Sequence, residues 1–541
     1  MERKSIGAAV LALWLGAAAA FAGDGALDDL RRDLGARHPK TRRGAARALA
    51  EIGTPEAWRL VAQALDDPES EVGDQAQLSL AAVGDARVQA ELLGDLGLGA
   101  KSERVRMRVA EALGRMHGPL DARALGRAFD SRDGEATRLA LWSVERLAAR
   151  DALAGERLTL VSKVDQLARM AGDGGTRAAA LAALFELDRE RALRLCPSAA
   201  EARDPEVRAA ALALGARAPD DAARARLAAA VRDPSVGVRC QAIVALEAQA
   251  DRAAVGTLVA LLEREPRLRV AERTVAALQR LSRLKHRRDV RPWRDWWTSL
   301  PESWRPAQAP PDAREAPAEA TSAANFGGLS ILSDRLSFLV DFSGSMWQSR
   351  DDGRSVKSVV DGRLAVGLEG LAESARFNLV PYANEPLPWE SELVDAKPAN
   401  KRRALAAFVA CRARGRGNFD GAVRAALADD QVDTLMIWSD GVPTGGLHSN
   451  LELVVPLLLQ HNRFRQVAFD LILVDAPKGA VTRLGELARR SGGRSLAVSL
   501  DDLAGASASE KSRAARAPGF AGVPGVPGVP GVPGVSGGRD E

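Results

Sequence analysis

From Leu27 to about Leu300 the chain repeats itself, and this repetition limits its fold more than any other feature. Segments opening at Thr41-Arg42, Val72, Val105-Arg106, Thr137-Arg138, Thr176-Arg177, Val207-Arg208, Val238-Arg239 and Val270 align with one another. The offsets are 31, 33, 32, 39, 31, 31 and 32 residues. Each anchor opens a similar stretch, such as VRAAALALGAR, VRCQAIVALEAQ or TRAAALAALFEL, with apolar residues three and four apart. That spacing makes one buried stripe on a helix. A second amphipathic segment follows each anchor, as at Ala253 to Glu263. A two-helix unit of about 31 residues predicts an α-solenoid, in which each unit buries its apolar stripe against its neighbours.

The units resemble HEAT-like repeats, and the resemblance covers residues 24–300. It implies a protein-binding scaffold with a concave surface for a second protein; a rigid spacer is the alternative. Asp-Pro pairs at Asp67-Pro68, Asp204-Pro205 and Asp233-Pro234 are expected to cap the helices that follow, with Pro in the first turn. The 39-residue offset predicts an insertion between Asp151 and Gly175. Four tryptophans, Trp293, Trp296, Trp297 and Trp304, are expected to cover the last repeat, with the basic run Arg283 to Arg294 as a solvated rim.

The first residues read as an export signal over 1–22. Arg3 and Lys4 precede the apolar run Ile6 to Ala22, and Ala20-Phe21-Ala22 fits a small-x-small cleavage site. An uncleaved anchor is the alternative. The expected destination is the periplasm, the cell exterior or the cell surface, with no integral membrane span after signal removal. Basic residues number 75 against 71 acidic, interleaved along 541 residues. Such a mixed surface gives no reason to expect a nucleic-acid partner. Cys196, Cys240 and Cys411 are too few and scattered for a disulfide framework. Buried thiols are expected, with a Cys196–Cys240 bridge as the alternative.

Residues 301–330 form a Pro- and Ala-rich stretch expected to be an extended linker. Beyond it the pattern becomes strands alternating with helices. Apolar runs at Leu336 to Phe342, Arg376 to Tyr382, Asp433 to Ser439, Val467 to Val474 and Arg494 to Ser499 read as strands. Helices are expected at Gly362 to Ala375, Asn400 to Ala413, Asn418 to Leu427, Asn450 to His461 and Ala480 to Ser491. Continuous apolar strands between helices predict a mostly parallel sheet covered on both faces. Ligand sites of such sheets lie off the carboxyl ends of the strands.

At one such end stands DFSGSM, with Asp341, Ser343 and Ser345 at alternate positions. The later run IWSDGVPT carries Asp440. On these residues, segment 331–505 resembles a von Willebrand factor type A (VWA) domain, a doubly wound, Rossmann-like α/β fold. The resemblance implies a metal-ion-dependent adhesion site (MIDAS) holding Mg²⁺ or Mn²⁺. Ser343 and Ser345 would be direct neutral ligands, and Asp341 and Asp440 would hold coordinated waters. An acidic side chain from another protein would complete the coordination. One element departs from the family: its middle loop carries a threonine where RGRGNFDGAV has Gly417. Either a water or Asp420 is expected to fill that place.

The expected protein is therefore an exported, non-enzymatic adhesion or scaffold protein of bacterial type. His38, His117, His286, His448 and His461 are scattered, with no zinc spacing or paired nucleophile. Two other readings stay open: a VWA accessory subunit of an AAA+ ATPase system, and an enzyme of the HEAT-like bilin-lyase kind. The tail 506–541 repeats Gly-Val-Pro and reads as a polyproline-like extension, with a short collagen-like triple helix as the alternative.

Overall fold

The computed structural model describes residues 24–127, 129, 134–306, 324–348 and 355–503. The segment 1–22, expected as an export signal, the middle of the expected linker and the Gly-Val-Pro tail lie outside the described residues.

All eight anchors open a helix within its first turn. We number this row α1 Pro39–Ile52, α2 Ser70–Ser79, α3 Glu103–Leu113, α4 Gly134–Ala149, α5 Gly174–Leu187, α6 Pro205–Arg217, α7 Val236–Gln249 and α8 Leu268–Ser282. A second row of helices alternates with it, and one continuous apolar core runs between the rows. The anchor arginines stitch neighbouring units together. Arg42 donates to Asp67 at 2.6 and 2.9 Å, Arg208 to Asp233 at 2.8 Å, and Arg239 to Glu265 at 2.9 and 3.0 Å. Each also donates to the carbonyls five and six residues before itself, for example Ala202 and Arg203 for Arg208.

This ladder changes the expected role of two Asp-Pro pairs. Asp204 is the N-cap of α6, as expected, with Pro205 in the first turn. Helices α2 and α7 start two residues later than expected, capped at Glu69 and Ser235. Asp67 and Asp233 instead accept from the amide two residues on and from the preceding unit's arginine. The long offset arises in the loop after α4, where Leu153–Ala154 pairs in parallel with Leu120–Asp121. Helix α9, Val290–Ser299, closes the array. Trp293 is fully buried there, edge-on to Trp296, which meets Trp304 in turn. Arg288 and Arg294 reach Glu272 and Glu263 on the rim. All three cysteines are free thiols; Cys196 and Cys240 are buried, and Cys411 only partly.

The C-terminal part is built on a six-stranded mixed sheet. Its strands are β1 Arg335–Asp341, β2 Arg376–Tyr382, β3 Val394–Asp395, β4 Thr434–Ser439, β5 Ala468–Val474 and β6 Ser495–Val498. They lie in the order β6-β5-β4-β1-β2-β3, all parallel except the edge strand β3. Alternate residues enter two separate cores. Phe338, Val340, Met436 and Trp438 face one, while Leu339, Leu435 and Ile437 face the other. Burial on both faces is why these strands are mostly apolar, with Ser337, Asn378 and Asp470 as buried polar exceptions. Helices α10 Val356–Glu369 and α11 Pro398–Ala410 cover the first core. Helices α12 Phe419–Leu427, α13 Leu451–His461 and α14 Lys478–Ser491 cover the second.

Two sequence expectations need correction. Helix α10 begins six residues earlier than expected, because the Ser355 side chain accepts from the Ser358 amide and caps it, while Gly370 follows its end. Residues 324–330, expected as linker, are folded. Asn325–Phe326 and Leu329–Ser330 form a hairpin, and Phe326 is fully buried against Phe338 and Trp438.

The sheet domain is seated on the solenoid, against the anchor row. Leu453, Leu457 and Phe464 join the solenoid's own apolar core. Contacts run from α2 at one end (Asp74 with His448) to α8 at the other (Arg273 with Gln466, Arg269 with the Gly492 carbonyl). Gly237 permits a close approach: a Cβ there would lie 2.6 Å from the Arg465 carbonyl oxygen. The anchor row of the solenoid thus carries the chain's own C-terminal domain. No helix among the described residues is long and apolar enough to cross a membrane.

Candidate functional site

The site lies where β1, β2 and β4 end side by side. Asp341, Tyr382 and Ser439 are their last residues, and Asp341 pairs with Tyr382 across the sheet. Past Asp341 the chain cannot continue flat. The Ser343 amide donates to Asp341 Oδ1 at 2.7 Å, and the Met346 amide to the Ser343 carbonyl at 3.1 Å. Buried Met346 anchors this single turn, Gly344–Trp347, so that Ser343 and Ser345 stand at its rim.

The four residues singled out in the sequence come together. Ser343 Oγ and Ser345 Oγ lie 3.2 Å apart, and Ser345 Oγ donates to Asp440 Oδ2 at 2.9 Å. Ser439 Oγ lies 3.5 Å from Asp341 Oδ2 and accepts from the Gly441 amide at 2.9 Å. The middle loop is present too. Asn418 caps α12 through the Gly421 amide and is tied to β2 by its own amide, which donates to the Ala383 carbonyl at 2.9 Å. A Cβ on Gly417 would lie 3.1 Å from Asp341 Oδ2, so this residue does sit against the constellation. Gly417 is also fastened to the Asp440 loop: its amide donates to Thr444 Oγ1 at 2.8 Å, and the Thr444 amide donates back to its carbonyl.

Asp420 does not fill the place left by the missing threonine. In the first turn of α12 it is buried and faces along the helix to Arg424 at 3.2 Å, and Arg424 continues to Glu135 on the solenoid at 3.1 Å.

The electrostatics are one-sided. Among the described residues neither Asp341 nor Asp440 has an ion pair. Burial first, and then the charge of Asp440, push the Asp341 carboxyl up to about 6 in spite of the bonds it accepts from Ser343. The Tyr382 hydroxyl is buried beside them, and burial followed by the Asp341 charge holds its pKa well above the ordinary value. Buried carboxylates are normally paired with a cation or bound to a metal. Donors here are hydroxyl and carboxylate oxygens, a hard set that suits Mg²⁺ or Mn²⁺. No cluster of three or more His, Cys, Asp or Glu among the described residues is placed to hold a metal. The hydroxyls of Ser343 and Ser345 are thus needed to complete any such site.

A second polar cluster escaped the sequence reading. Buried Asp74 of α2 accepts from Arg108 Nη1, from His448 Nδ1 and from the Ser449 and Asn450 amides, each at 2.8 Å. Arg108 also donates to the Leu447 carbonyl. Gly73 makes room for the guanidinium, since a Cβ there would lie 2.7 Å from Arg108 Cζ. The loop that begins at Asp440 is therefore the same loop that locks onto the solenoid.

A model of HEAT repeats matches residues 7–81 and 24–97. The chain is similar to inter alpha-trypsin inhibitor, heavy chain 4, of Mus musculus, 27% identical over 146 residues. That match covers 25% of this chain and 14% of the mouse protein's length. Among solved structures, the PilB minor pilin from Streptococcus sanguinis is similar over 33% of this chain and 60% of its own, with 14% identity and a TM-score of 0.25. Human deoxyhypusine hydroxylase is similar over 47% of this chain and 94% of its own, with 22% identity and a TM-score of 0.21.

Proposed function

We propose that residues 331–505 form a doubly wound VWA domain with a MIDAS-type site, and that the chain is an exported, non-enzymatic adhesion or scaffold protein. The observation that carries this reading is the pair of carboxylates, Asp341 and Asp440, linked through Ser343 and Ser345 and, among the described residues, without an ion pair. The strand order supports it as well, since 3-2-1-4-5-6 places the end of β1 at the reversal of winding, where ligands of doubly wound sheets bind. Ser343 and Ser345 would hold Mg²⁺ or Mn²⁺ directly, and Asp341 and Asp440 would fix its waters. Bound there, the ion supplies an electrophilic position for a carboxylate from another protein. The solenoid, which resembles HEAT-like scaffolds, serves in this reading as the frame that holds the domain.

Calorimetric titration with MgCl₂ and with MnCl₂ tests the reading. Heat and an upward thermal shift are expected with either ion; neither signal with both would overturn it. The same titration tests the middle loop. Gly417 has no left-handed backbone, and its missing Cβ points at Asp341. Gly417→Thr is therefore expected to add a hydroxyl beside the ion and tighten Mg²⁺ binding several-fold.

A further inference from the structure

Arg414 sits on the rim of the candidate metal site and is left unused by everything described above. It is exposed, in the segment between α11 and α12, three residues before Gly417. Its guanidinium is stacked on the Trp347 ring, with the centroid 4.6 Å away. Trp347 is itself fixed, two residues past Ser345, by a 3.1 Å bond from its indole N–H to the Ala413 carbonyl and by an edge contact with Phe342. Among the described residues Arg414 makes no hydrogen bond and no ion pair. Its neighbours differ. Arg412 donates to the Val409 and Cys411 carbonyls, closing the end of α11, and Arg416 pairs with Glu69 of the solenoid.

A stacked guanidinium has already lost much of its rotamer freedom, and stacking leaves its N–H edge free for a planar, bidentate anion. That fork fits a carboxylate. In an extended peptide, side chains two residues apart on one face are separated by roughly 7 Å. Arg414 stacks on Trp347, two residues past Ser345, and Gly417, three residues past Arg414, lies against Asp341, so the guanidinium and the candidate metal site border the same loops. We propose that Arg414, held on Trp347, is a second anchor for the partner, so that the site selects a segment with clustered Asp or Glu rather than a single acidic side chain. This rests on the metal reading given above and adds the partner's class to it.

The test measures fluorescence anisotropy of labelled octa-aspartate and of a control peptide with one Asp among Ser and Gly, both in MgCl₂. Arg414→Gln is expected to weaken octa-aspartate binding tenfold or more, to leave the control peptide unchanged, and to leave the heat of Mg²⁺ binding unchanged. Equal octa-aspartate affinity in the parent and in Arg414→Gln overturns the proposal. Tighter, Mg²⁺-independent binding of heparin, lost in the same variant, also overturns it, in favour of a general polyanion surface. If the parent shows no Mg²⁺ heat while octa-aspartate still separates the two proteins, the metal reading alone fails and Arg414 stands as an acidic anchor.

Discussion

Asp74→Ala is expected to cost about 3–5 kcal/mol and to release the C-terminal domain from the solenoid. The carboxylate is almost wholly buried and satisfies four donors from both parts of the chain. Its removal strands Arg108, which is equally buried, and leaves the Ser449 and Asn450 amides at the start of α13 without their acceptor. Scanning calorimetry should show one main transition in the parent and two separated transitions in the variant. An unchanged single transition would contradict the account. The same contact sets an acid limit. Burial alone would raise the Asp74 carboxyl, but the His448 bond, the His448 charge and the Arg108 charge outweigh it and hold the value at about 2, against 3.8 unfolded. A depressed value stabilises the fold above the unfolded pKa. The contribution, about 2 kcal/mol, should persist at pH 5 and disappear as pH falls from about 4 to 2.

Replacing Ser343 and Ser345 together with Ala is expected to abolish Mg²⁺ and Mn²⁺ binding while leaving the domain folded. Both hydroxyls belong to the constellation, and nothing in the core depends on them. Ser345 loses one bond to Asp440, and Ser343 keeps the amide bond to Asp341 that shapes the turn. Stability should change by no more than about 1 kcal/mol. What remains is two carboxylates with no neutral ligand between them. Metal heat that persists in the double variant would show that the ion, if bound, sits elsewhere. Loss of the fold would show instead that the hydroxyls serve structure.

Much of the architecture is written locally in the chain, and that is why it was legible. Every anchor residue opens a helix because the 31-residue spacing reflects burial between neighbouring units. The segment Arg376 to Tyr382 appears as a strand with the limits read from its sequence, because both of its faces are covered and most of its positions are apolar. The candidate site was legible for a related reason: a serine pair directly after a buried strand has few purely structural uses. The seating of one domain on the other was not legible. Asp74 and Arg108 look like ordinary charged positions on amphipathic helices, and only three-dimensional proximity over 34 residues, and then over 374, makes them partners. A signal for the contact was nevertheless present. LELVVPLLLQH of α13 is apolar nearly all round, which marks a helix buried on both sides. Val454, Val455 and Leu458 face the sheet, and Leu453 and Leu457 face the solenoid. The positions of Asp67 and Asp233 were misread because capping and inter-unit pairing draw on the same residue type.

The central claim concerns one ion in one place. Crystals soaked in MnCl₂ and measured near the manganese absorption edge give the direct answer. An anomalous peak between Ser343 Oγ and Ser345 Oγ, with Asp341 and Asp440 around it, is the result predicted. A map without such a peak at saturating Mn²⁺ would contradict it, and would leave two like-charged side chains at the end of the central strand with no function assigned.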